Sequence, residues 1–149
     1  MNKILSIFIF ICLAFIVAAN AQKVADYKIT NIKIVPFEQS SGEFEAEITD
    51  TDDRSFFNEL GKGLFVTIEI SGKAGDYVGT RSLSVTVLEG KKVKMKKVLM
   101  SGILNEEGKY YFPLWIEPAL CNEITITATL TGQKSPSKIT KKLPFMCGE

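Results

Sequence analysis

The 149-residue chain contains no histidine. That absence removes the Ser-His-Asp and Cys-His nucleophilic arrangements. It also removes the imidazole ligands on which zinc, copper and non-haem iron sites ordinarily depend. No Asn-x-Ser/Thr sequon occurs, so N-glycosylation is not expected. An excess of either charge is missing too: 18 basic residues stand against 17 acidic ones, which argues against a general nucleic-acid or polyanion binder. There is no internal repeat, no low-complexity tail and no linker long enough to divide the chain. Tryptophan occurs once, at Trp115, and cysteine three times.

The one long apolar run lies at the start. Lys3 supplies a positive charge, Ile4 to Ala19 are apolar apart from Ser6, and Ala19-Asn20-Ala21 has the small-x-small form of a cleavage site. The run is shorter than the roughly 20 residues a spanning helix needs. Residues 1–21 are therefore expected to be a cleaved secretory leader, with the mature protein starting at Gln22 and secreted, or periplasmic in a Gram-negative bacterium. Removing the leader takes 21 of 149 residues and leaves 128, enough for one domain with a real core. Lys3 leaves with it, so 17 of the 18 basic residues remain, against 17 acidic. No second stretch of the mature chain is long and apolar enough to span a membrane.

Cys12 departs with the leader, leaving Cys121 and Cys147. An even pair in an exported chain reads as a disulfide. The loop it closes, about 26 residues, is worth about 3.5 kcal/mol by the chain-entropy estimate.

The mature sequence alternates apolar and polar residues between turn residues, and predicts eight strands. These are about 27–35 (ended by Pro36), 43–49, 64–71, 81–88, 92–100, 109–116, 122–130 and 139–145. In the second, Phe44, Ala46 and Ile48 are expected inward and Glu43, Glu45 and Glu47 outward. Residues 51–61 break the pattern and predict a short helix, capped by Thr51 or Asp52 and ended by Gly61, with Phe56 and Leu60 on its core side. In the last hairpin, setting Cys121 directly opposite Cys147 puts Ile124 across from Pro144, and the two strands then disagree about which side is core. A one-residue slip sets Ile124 against Phe145, Ile126 against Leu143 and Leu130 against Ile139. Burial favours the second register, which leaves Cys121 outside the ladder.

Short strands with Gly and Pro turns predict an all-β, antiparallel sandwich. In architecture the whole mature chain resembles an immunoglobulin-like or fibronectin type III-like sandwich. The cysteine-tryptophan-cysteine order of immunoglobulin domains is absent, because Trp115 precedes both mature cysteines. What the resemblance implies is a domain that binds, braces or spaces.

The remaining candidates are local. Glu43, Glu45 and Glu47 would stand roughly 6.5–7 Å apart on one strand face. That spacing suits an acid/base pair, but residues alternating with Phe44 and Ala46 face water, and a catalytic acid needs burial. Asp50, Asp52 and Asp53 are hard oxygen donors of the kind calcium takes, although helix capping accounts for the same residues. Eight acids lie between Asp26 and Asp53, and five lysines between Lys91 and Lys97. Lys92, Lys94 and Lys96 are expected on one face, opposite Val93, Met95 and Lys97. They would protect an edge strand, pair across strands with Glu43, Glu45 and Glu47, or meet an anionic partner. In the aromatic run, Tyr110, Phe112, Leu114 and Ile116 should face one way and Tyr111, Pro113 and Trp115 the other. Pro113 marks an edge or bulged strand. A lone tryptophan is commonly core; an exposed Tyr111/Trp115 pair would instead be a contact platform. The expectation is a non-catalytic module without cofactor or metal, contacting a protein or glycan outside the cell, or else a structural subunit of a surface assembly.

Overall fold

Aliphatic side chains at every second position build most of this molecule. The computed structural model describes residues 26–49, 52–76, 79, 81–100 and 104–148, without the side chains of Leu99 and Met100. The expected leader lies outside the described residues. Ten strands follow in order: β1 (Lys28–Glu38), β2 (Glu43–Phe44), β3 (Phe56–Phe57), β4 (Lys62–Ser71), β5 (Ser82–Glu89), β6 (Lys92–Met100), β7 (Lys109–Ile116), β8 (Ile124–Thr131), β9 (Ser137–Leu143) and β10 (Phe145–Met146). One sheet has the order β2-β1-β4-β7 and the other β6-β5-β8-β9, with every pairing antiparallel. β10 and β3 form a small parallel pair.

The sequence explains the core directly. Leu64, Val66, Ile68 and Ile70 of β4, Leu83, Val85 and Val87 of β5, and Ile124, Ile126, Ala128 and Leu130 of β8 are buried. Because strand side chains alternate, each set points to one side of its sheet, and both sets join one core between the two sheets. The expected all-β class is seen. The expected short helix is not: among the described residues of 51–61, β3 and turns stand in its place. The reason is long-range. The ring of Phe56 stacks on Phe145, with centroids 4.4 Å apart and planes 9° off parallel. Asn58 adopts a positive φ of 57° that no helix permits. Leu60, expected in the core, is exposed.

The second strand is also shorter than expected. The turn at Gly42, φ 73°, sets Phe44 opposite Phe37, whose ring points outward. Phe44 and Ala46 are therefore exposed, contrary to expectation. The chain continues beside β1, with Glu45 N donating to Pro36 O and Ile48 N to Ile34 O. Three steps on one side thus match two on the other. The extra residue turns Ile48 into the core, as expected of it.

In the last hairpin, Ile124 lies opposite Leu143 and Ala128 opposite Ile139. The expected faces are kept but the partners shift by two residues. Pro144 breaks the ladder, and Phe145 leaves β8 to pair with Phe56. Lys141 consequently takes an inward position, where Nζ donates to Ile48 O at 3.2 Å and ties the two sheets together. Cys121 and Cys147 lie outside the ladder and are joined, with Cα atoms 4.8 Å apart.

Candidate functional site

β7 is an edge strand, as Pro113 implied, and its outward side chains sit on a broad aromatic face. Across the sheet, Trp115 lies beside Phe65, and Phe65 beside Val35. One step further along, Phe37 lies between Gly63 and Phe44. The rings touch in a chain. Phe44 meets Phe37 at 5.0 Å and Phe65 at 6.2 Å, and Phe37 meets Trp115 edge-on at 5.8 Å. Such tilted pairs are each worth about 0.5–1.5 kcal/mol beyond area burial. The benzo edge of the indole occupies the space a Cβ would fill at Gly63. Trp115 is half-buried on this outer face and is not part of the core, while Phe44, Phe65 and Tyr111 are 61%, 37% and 46% exposed.

Tyr111 stands at the polar end of the same face, beside Glu69. The charges bordering the face are matched within the chain. Lys33 pairs with Glu47 at 3.0 Å and Lys109 with Glu69 at 3.5 Å. Glu69 also accepts from Thr30 Oγ1 at 2.8 Å, and its charge raises the Lys109 ammonium above the usual lysine range. Phe37, Phe44 and Phe65 were missed in the sequence reading. A signal for Phe65 was present: it falls out of phase with Leu64, Val66, Ile68 and Ile70.

The lysine-rich strand β6 is an edge of the second sheet. Its lysines do not share one face. Lys92 is opposite Glu89 and Lys96 opposite Thr86, with a bulge at Lys94 between them. Glu89 and Thr86 are three apart on a regular strand, so Lys92 and Lys96 point to opposite sides. Lys94 Nζ lies 3.3 Å from Glu89. The other carboxylate oxygen of Glu89 accepts from Cys121 N at 2.8 Å. Burial pushes the Glu89 carboxyl up, but the Cys121 N–H and the Lys94 ammonium outweigh it and hold the group below its usual range.

The lysine–glutamate ladder does not form within the chain, because β2 and β6 belong to different sheets. Glu45 instead joins Lys62 and Arg54, and Glu47 joins Lys33. Lys62 is also within 3.4 Å of Glu38 and 3.6 Å of Glu59. Burial lowers its pKa, but the Glu45 and Glu38 carboxylates outweigh this and raise it overall. Asp52, one of the calcium candidates, is engaged by Arg54 at 2.5 Å, and its hydrogen bonds from Arg54 lower its pKa. Asp50 lies outside the described residues. Among the described residues, no three His, Cys, Asp or Glu side chains group as metal ligands. An open cleft of about 410 Å³ between this segment and β9 is lined by Asp52 and Asp53 together with Arg54 and Lys142, charges of both signs. Among the described residues no helix is long and apolar enough to cross a membrane.

No protein-family model matches the chain, and no curated protein matches it.

Proposed function

We propose that the chain is an exported, non-catalytic binding module that contacts a protein or glycan through the aromatic face of β1, β2, β4 and β7. The observation that carries this reading is the connected group of Phe37, Phe44, Phe65 and Trp115, each ring within 6.2 Å of another while Phe44 and Phe65 remain exposed. A face of this kind on a soluble domain is typical of a contact surface, where aromatic residues carry most of the energy.

The strand order supports an immunoglobulin-like sandwich of the fibronectin type III kind. Taken without the two-residue strands, seven strands divide as β1-β4-β7 and β6-β5-β8-β9. Such sandwiches commonly present one face or one end to a partner.

The test is binding of the mature protein to a glycan array and to a panel of purified cell-surface proteins, with Trp115→Ala and Phe65→Ala alongside. The expected result is a ligand whose binding both substitutions abolish while each variant remains folded at the assay temperature, as circular dichroism shows. Ligand binding that survives both substitutions overturns the reading. Stable co-purification in a surface assembly with no such ligand would favour a structural subunit instead.

A further inference from the structure

We propose that the free edge of β6 accepts an extended, acidic segment of a partner protein as an added strand. This surface is separate from the aromatic face, which lies on the other sheet. In a chain whose charges nearly cancel, Lys91, Lys92, Lys96 and Lys97 form an exposed positive cluster at one hairpin. The acidic stretch that could have neutralised them is committed elsewhere: Glu45 to Lys62 and Arg54, Glu47 to Lys33, Asp52 to Arg54.

The distribution of the lysines decides the shape of the partner. Lys96 projects on the outer side of the sheet, with Val93 and Val98, which are 63% and 65% exposed. Lys92 and Lys97, opposite Glu89 and Val85, project on the other side. A flat anionic surface, such as a membrane or a sulfated glycan lying on one face, would meet only one of these sets. A strand added in the plane of the sheet meets both, because its own side chains alternate. Among the described residues β6 pairs only with β5, so the outer row of its backbone N–H and C=O groups faces away from the sheet and can take such a ladder. Lysines on an edge deter pairing with another neutral or basic edge. The same charges favour an acidic strand, so protection and selection have one cause.

The experiment uses a fluorescent nine-residue peptide with glutamates on both faces, and the same peptide N-methylated at alternate amides. The expected result is saturable binding that weakens with salt, is lost on N-methylation and slows amide exchange along β6. K96E/K97E should weaken it about tenfold, and K96Q/K97Q less, both with an unchanged melting temperature. Trp115→Ala should leave it intact, so failure here and failure of the aromatic face are distinguishable. Equal binding of the N-methylated peptide overturns the proposal, as does preference for a heparin oligosaccharide or phosphatidylglycerol vesicles without protection of β6.

Discussion

Gly63 is the residue on which the aromatic face depends. Its missing side chain leaves the space that the Trp115 ring fills, and Ile116 O closes the position from below at 3.3 Å. Gly63→Ala must therefore lift the indole from the sheet. The expected outcome is a red-shifted tryptophan emission and a loss of about 1–3 kcal/mol, the usual cost of overpacking, read from a denaturant titration. An unchanged spectrum would show that the ring does not rest there. Lys62 makes a second prediction at this scale. Its pKa is raised in the folded protein. The stability it confers is thus complete below the unfolded lysine pKa of about 10.4 and is lost as pH rises through the higher folded value. Lys62→Met should cost about 2 kcal/mol at neutral pH, because it leaves three carboxylates facing one another. It should also flatten the alkaline limb of the stability profile measured by thermal melts.

Among the elements, the disulfide joins the segment just before β8 to the residue just after β10, outside the ladder. Cys121→Ser or Cys147→Ser should cost about 2–4 kcal/mol in chemical denaturation. The β8–β9 pairing should survive, since Ile124 still meets Leu143 without the bridge. Loss of slow-exchanging amides throughout β8 in either variant would contradict that. Much of this architecture is legible in the sequence where burial repeats every second residue. β4, β5, β7 and β8 are of that kind, and Pro113 correctly marks β7 as an edge. Legibility fails where one distant contact overrides a local pattern. Phe56 reads as one side of a helix, yet Phe145 claims it from the far end of the chain. Phe44 reads as core, yet the Gly42 turn pairs it with Phe37. The bulge at Lys94 has no local signature, so three lysines that read as one stripe are divided between two faces. The aromatic face was half legible: Tyr111 and Trp115 share a strand, but Phe37, Phe44 and Phe65 reach them only through sheet pairing.

For the whole molecule, export is the proposal with the simplest check. Mass spectrometry of the protein recovered outside the cytoplasm should find Gln22, or its pyroglutamate, at the amino terminus. An intact Met1 would end that reading. A further consequence comes from the parallel pair of β3 and β10. Phe56 N donates to Pro144 O, Asn58 N to Met146 O, and Gly148 N to the Asn58 side chain. β3 is therefore paired to residues about 90 positions away, and the Phe145 ring and Cys147 sulfur complete the core and the bridge from the same segment. Without residues 145–146, β3 loses its strand partner and Phe56 the ring it stacks on. The β3–β10 pair therefore closes late in folding, since it joins residues so distant in sequence.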